Sequence, residues 1–262
     1  MLAVPTDELA PGGALRAAVN LSNTVLVQQE GADGEVGGVA VMLARELGRR
    51  VGLPVEIVTF KAAADLFAAL AEERWDVAFL ADEPARAAQI DFTSPYVLIE
   101  GTYLSRGDAP FRAVEEVDRA GIRIAVGRGS AYDLYLSRTL TQAQILRSQT
   151  AGGTAAIDLF LAENLDVAAG LRPQLAAYAR SVPGLRVLEG RFMEIGQAVG
   201  LPKGRPGAAA FVRQFIDEMK ASGFIAEALR RTGQTDVIVA PAWHPVDHQH
   251  CSTTETIHDT RR

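Results

Sequence analysis

The sequence predicts an α/β fold of two related lobes, each a sheet flanked by helices, and three observations carry that expectation. Short apolar runs alternate with amphipathic stretches of helical period along most of the chain. The second half repeats the first: LRAAVN at 15–20 is echoed by IRIAVG at 122–127. DLF then DVA, at 65–67 and 76–78, recur in the same order at 158–160 and 166–168. Finally, 262 residues with 48% hydrophobic and 22% charged side chains suffice for a buried core in one large domain or two small ones.

The elements follow in order. Residues 14–20 (ALRAAVN) form an apolar run that ends in polar turn formers, which predicts a buried strand. Residues 28–38 are a turn-rich connection holding Asp33-Gly34, a hairpin-turn dipeptide. Val39, Met42, Leu43 and Leu47 then recur at helical spacing, with Gly48 near the end and Pro54 stopping the pattern. A strand is predicted over 55–60, a helix over 62–73 and a strand over 76–81. In the second half, strands are predicted at 122–127 and from 166, with a Leu-Phe helix between them. A strand at 194–201 is followed by a helix at 206–222, where Phe211, Phe215 and Met219 share one face. A last helix covers 224–231, and residues 244–262, polar and aperiodic, are expected to be a mobile tail.

Composition excludes several classes. With 26 basic against 32 acidic residues the net charge is −6, so the chain is not built to coat nucleic acid. Its one cysteine, Cys251, leaves no intramolecular disulfide and no CxxC motif. No apolar run approaches the roughly 18 residues of a membrane span. Residues 1–13 contain Asp7, Glu8 and two prolines but no basic residue, so no export signal is expected in the chain as given.

Ligands of open parallel sheets bind beyond the carboxyl ends of the strands. That rule selects residues 20–24, Phe60, 81–86, 127–132, 148–150 and 170–172. Arg86 there is either a two-pronged carboxylate clamp or a solvated arginine on a helix face. Gly127-Arg-Gly-Ser130 is either an anion-holding helix start or a glycine turn with Ser130 as N-cap. It is no dinucleotide fingerprint, because the third glycine is missing. Ser130 is not in a GxSxG elbow. All four histidines, His244, His248, His250 and His258, fall in the tail, which argues against a Ser-His-Asp triad. His248-Gln-His250-Cys251 has zinc- or copper-binding residue types, read here as an adventitious binder; neither metal nor cofactor is expected.

Trp75-Asp-Val-Ala-Phe79, then Arg86, then Ile90-Asp-Phe-Thr-Ser-Pro-Tyr96 resembles the signature of bacterial extracellular solute-binding proteins of polar amino-acid ABC transporters. Gly34-Glu-Val-Gly-Gly-Val39 with Leu43, the Gly129-Ser130 loop and the Pro202-Lys-Gly204 turn fit the same pattern in order. The resemblance spans about residues 15–233. It implies the two-lobed type II periplasmic-binding fold, with lobe I from 14–101 and 200–240, lobe II from 102–199, and a flexible tail from 241–262. Two crossing strands, near 101–105 and 194–198, would act as the hinge. It makes Arg86 the carboxylate clamp, places Ser130 and Ala131 beside Gly129 at the second-lobe anion loop, and puts other contacts at Asn20, Ser22, Asn23, Phe60, Ala81 and Asp82. It also implies a monomer serving an ABC transporter permease, and periplasmic location; the chain as given, without a signal, would instead be cytoplasmic.

Three departures bear on the ligand. Ala81 and Asp82 stand where the family has small hydroxyl residues, and the segment from Asp76 to Arg86 is slightly shorter. Gly170-Leu171-Arg172 replaces the acidic residue that usually holds the ligand's ammonium. Aromatic residues expected near Val25 and Val27 are absent. A buried ammonium without a carboxylate is costly, so the expected ligand is a carboxylate that need not carry an α-amino group, held by Arg86 and Arg172, unless Asp82 takes the acidic role. The alternatives are a lyase of the cyclohexadienyl dehydratase type, with Asp82, Glu83 or Glu194 as acid or base, and a ligand sensor.

Overall fold

The computed structural model describes residues 4–30 and 35–242. Thirteen strands among these residues are β1 (Leu15–Asn20), β2 (Gln28–Glu30), β3 (Glu35–Gly37), β4 (Val55–Phe60), β5 (Val77–Ala81), β6 (Ile90–Phe92), β7 (Val97–Arg106), β8 (Arg123–Val126), β9 (Gln144–Arg147), β10 (Val167–Leu171), β11 (Leu185–Val187), β12 (Met193–Pro202) and β13 (Ile238–Val239). The helices are α1 (Thr6–Leu9), α2 (Val39–Val51), α3 (Ala63–Ala68), α4 (Pro84–Ala87), α5 (Ala131–Thr139), α6 (Ala155–Ala162), α7 (Arg172–Ser181), α8 (Pro206–Ala221) and α9 (Phe224–Arg231).

The main sheet runs β4-β1-β5-β12-β7-β10-β8-β9. At one end β1 pairs parallel with β4 and β5; at the other β8 pairs parallel with β9 and β10. These are the two related units, and they are joined through two long antiparallel strands. β12 pairs with β7 over Met193↔Gly101 to Gln197↔Val97, then continues against β5. Residues 101–105 of β7 pair instead with β10. The chain therefore passes between the halves at 97–101 and 193–197, where two strands lie side by side.

The repeated words in the sequence correspond to repeated contacts. The Arg16 main-chain and side-chain N–H groups donate to Asp76, which is fully buried. In the second unit the Arg123 N–H donates to Asp166, and the guanidinium lies 3.5 Å away. In each unit the Asp N–H returns a bond to the Arg carbonyl. One Arg-Asp pair thus fixes where the first strand of each unit meets the third.

Period-two alternation divides the core. In β1 and β5, Leu15, Ala17, Val19, Val77 and Phe79 face α2, α8 and α9, while Ala18, Ala78 and Leu80 face α3 and Trp75. Burying both faces explains why these strands read as unbroken apolar runs. Phe215 and Met219 are buried and Phe211 packs beside them, as the helical spacing requires. The helix expected over 62–73 is shorter, ending as α3 at Ala68. The chain reverses there: Glu73 takes a positive φ, and the buried Trp75 indole donates to the Leu66 carbonyl, drawing the segment back toward β5. The segment expected to be a tail lies, apart from Pro241 and Ala242, outside the described residues.

Candidate functional site

A cavity of about 40 Å³ lies where the two halves face each other. It is lined by Asn20, Ser22, Asn23, Ala81, Arg86, Ser130 and Ala131, seven of the expected residues. The pairing of β1 with β4 and β5 brings their carboxyl ends together, and β5 leads into the turn that carries Arg86.

Arg86 is not a solvated arginine. It is 2% exposed, held in the short α4 whose N-cap is Glu83 and whose first residue is Pro84. Its guanidinium donates to the Ala81 carbonyl at 3.1 Å and, across the cleft, to the Gly129 carbonyl at 2.9 Å. It forms no ion pair among the described residues. Burial pulls its pKa down to about 10, with Glu83 opposing, so the group is a cation at neutral pH.

In the Gly127–Ser130 loop, Ser130 is the N-cap of α5. Ser130 caps α5 by accepting from the Asp133 N–H, and the Gly129 N–H donates to the buried Asp133 carboxylate, itself paired with Arg147. Gly129 has φ +66, and a Cβ there would stand 2.8 Å from the Ala64 Cβ on the opposite side, so glycine is needed both for the turn and for the close approach. The Ala131 and Tyr132 N–H groups, at the first two positions of α5, keep no intrahelical partner, and both residues line the cavity. Burial pushes the Tyr132 hydroxyl up, with Ser130 partly offsetting.

Four expected residues do not line the cavity. Arg172 opens α7 and turns away, donating to Glu100 at 2.5 Å and to the Gly190 carbonyl. Arg191 and Arg172 together hold the Glu100 carboxyl below the usual range. Phe60 packs in the core beneath Ala63 with the Arg74 guanidinium over its ring. Asp82 sits outside the lining at an exposed position, where partial desolvation and the neighbouring Glu83 push its carboxyl up. Gly129 contributes its carbonyl to Arg86 instead of lining the cavity. Of the two arginines expected to hold the ligand, Arg86 lines the cavity and Arg172 does not.

Leu171, from the selected 170–172 segment, is an apolar wall, and the lining also holds residues not anticipated: Phe79 and Ile195 as further apolar walls, and Gln174 and Gln197 as polar groups. Gln197 arrives on the crossing strand β12, and Gln174 on the first turn of α7, donating to the Gly153 carbonyl. The Ile90–Tyr96 block, the most specific part of the sequence signature, stays outside. β6 pairs with β12, the Thr93 hydroxyl accepts from the Val199 N–H, and the Tyr96 N–H donates to the Gln197 carbonyl. It anchors the strand that presents Gln197.

A second contact crosses the same cleft: the Arg138 guanidinium on α5 lies 2.5 Å from the buried Glu83 carboxylate. Among the described residues no cluster of three or more His, Cys, Asp or Glu suits a metal, and no helix is long and apolar enough to cross a membrane. His248, His250 and Cys251 lie outside the described residues.

The chain matches the sequence family described as bacterial extracellular solute-binding proteins, family 3, over residues 16–235. No curated protein sequence matches it. Among solved structures it is similar to the cysteine-binding protein of Campylobacter jejuni, at 18% identity and TM-score 0.76, covering 92% of this chain and 100% of that one. It is similar to an amino acid ABC transporter substrate-binding protein of Streptococcus pneumoniae bound to L-arginine, at 20% identity and TM-score 0.74, covering 90% and 99%. A third is the ancestral amino acid-binding protein AncCDT-1, a precursor of cyclohexadienyl dehydratase, at 21% identity and TM-score 0.72, covering 86% and 97%. At these identities the likeness shows the two-lobed fold.

Proposed function

The chain belongs to family 3 of the bacterial extracellular solute-binding proteins, and from that premise we propose that it binds a small organic carboxylate between its lobes and delivers it to an ABC transporter permease. The lobes are 14–101 with 200–240, and 102–199. The observation that carries the reading is Arg86: a buried cation whose partners among the described residues are two carbonyls, in a lining without a carboxylate. A ligand carboxylate would exchange the Gly129 carbonyl for a charge-assisted pair of bonds. The open Ala131 and Tyr132 N–H groups at the start of α5 add donors for the same anion.

The lining has no anion for a ligand ammonium, and the candidate substitute, Asp82, stands outside it. An α-amino group is therefore dispensable. The lyase alternative needs an acid or base in the cavity. Its candidates are otherwise engaged: Glu83 caps α4 and faces Arg138, and Glu194 faces Arg191.

The test is a thermal-shift screen of wild type and Arg86→Ala against amino acids, keto acids, hydroxy acids, dicarboxylates and polyamines. A ligand at about 100 times its Kd adds roughly 2.7 kcal/mol, a shift of several degrees at this size. A shift from one carboxylate class that vanishes in Arg86→Ala is expected. Silence across the panel would overturn the reading. Turnover of an arogenate- or prephenate-like acid, abolished by Asp82→Asn, would favour the lyase.

A further inference from the structure

Asn23 is the least explained group in the cavity. The residue is 8% exposed, it lines the cavity, and its Oδ1 is buried with no hydrogen-bond donor among the described residues. Its backbone is fully employed, for the Asn23 carbonyl accepts from the Leu26 and Val27 N–H groups and closes the turn after β1. The side chain plays no part in that turn. The neighbouring Asn20 shows what a satisfied amide looks like: its Oδ1 accepts from both the Ser22 N–H and hydroxyl. A buried amide oxygen left without a donor is costly and uncommon in folded proteins. At the wall of a binding cavity, the missing donor is a group of the ligand.

The chemistry of that donor is narrowed by what surrounds it. An ammonium would bring a full positive charge into a lining that already holds the Arg86 cation and no carboxylate. A keto oxygen has no proton to give, so it would leave Asn23 Oδ1 without a donor unless the amide turned over to present its NH2. A hydroxyl donates and is neutral. Size narrows it again. A cavity of 40 Å³ admits about three waters, or roughly 90 Å³ of liquid, the bulk of an acid of about six heavy atoms.

We propose that the site takes a short 2-hydroxy carboxylate of the lactate class, with Arg86 on the carboxylate and Asn23 Oδ1 accepting from the 2-hydroxyl. The assignment rests on the carboxylate-binding reading above and adds the neutral donor and the size. Asn23 is the specificity-determining residue: it stands as an uncharged acceptor in a cavity that lacks the acid needed by amino acids.

The experiment is calorimetric titration with lactate (both enantiomers), pyruvate and alanine, which share one carbon skeleton and differ only at C2. It is run on wild type, Asn23→Leu and Asn23→Asp, each first checked for an unchanged melting temperature and circular dichroism spectrum. Wild type should prefer one lactate enantiomer over pyruvate and alanine by at least about tenfold, since a site built to bond a hydroxyl rejects the analogue lacking it. Asn23→Leu should lose that preference, bringing lactate and pyruvate to within about twofold of each other. Asn23→Asp supplies an anion and should move the preference to alanine. Equal binding of lactate and pyruvate, or preference for alanine by wild type, would overturn the hydroxyl assignment while the carboxylate reading stood. Failure of all three alongside binding of a longer acid would overturn the size assignment. Should the Asn23 variants misfold, the wild-type ranking alone decides. Absence of binding by every carboxylate would instead mark failure of the underlying reading.

Discussion

Arg86 and Arg172 both sit just past the carboxyl end of a core strand, and their surroundings differ in the one respect that matters for binding. Arg172 is part-exposed and spends its donors on Glu100 and the Gly190 carbonyl, and Glu100 is shared with Arg191. Arg86 is buried, pairs with no carboxylate among the described residues, and spans the cleft to a carbonyl of the facing lobe. An arginine already neutralised by a carboxylate is part of the scaffold. One held by carbonyls alone keeps a charge that only an incoming anion can satisfy. The comparison teaches that position after a strand selects candidates, and the partner set decides between them.

The largest expected effect breaks this comparison at Arg86. Truncating one partner of a buried, hydrogen-bonded charge pair costs about 2–5 kcal/mol, so Arg86→Met should weaken carboxylate binding at least about 30-fold by calorimetry. Arg86→Lys should recover only part, because an ammonium cannot reproduce the guanidinium fork. The melting temperature of the unliganded Arg86→Met protein should stay level or rise, since an unpaired buried cation is replaced by an apolar chain.

The pH dependence has a definite sign. The guanidinium must be protonated to hold a carboxylate, and its pKa is lowered to about 10 by burial. Affinity should be flat from pH 6 to 9, then fall toward tenfold per pH unit above about 10. A fall centred near pH 7 would contradict Arg86 as the clamp.

A smaller effect is expected at the second contact across the cleft. Arg138→Ala leaves Glu83 buried on the lobe-closing face without its cation. The closed arrangement should lose population, seen as a larger radius of gyration in solution scattering and weaker carboxylate binding by several-fold. Arg138→Lys should restore much of both.

The smallest effect is expected at Arg172. Arg172→Met should change carboxylate affinity less than about twofold, and cost about 1 kcal/mol or less of stability by denaturant unfolding, since the pair is part-exposed and Arg191 still serves Glu100.

Most of the fold is legible in the sequence where burial imposes a clean period. β1, β4, β5, α2, α8 and α9 all stand within a few residues of where their apolar patterns put them. The strand β9 is not visible, because it is an edge strand whose mixed burial leaves no alternation. The helix α7 has only one buried residue, Leu175, and so no apolar stripe. Within the site, rules for strand ends find Asn20, Ser22, Asn23, Ala81 and Arg86. Gln197 escapes them because it sits within an antiparallel crossing strand, to which a rule for parallel strands does not apply. Gln174 lies two residues past the loop that the rule selects. Arg172 satisfies the rule and misses the cavity, because its partner Glu100 lies 72 residues away in sequence and only the fold brings them together.

The most direct test of the account is a crystal structure with the carboxylate identified by screening. The expected result is a ligand carboxylate on the Arg86 guanidinium, with the bond to the Gly129 carbonyl released or shared, and Arg172 still on Glu100. A carboxylate bound by Arg172, with Arg86 still donating to Ala81 and Gly129, would contradict it.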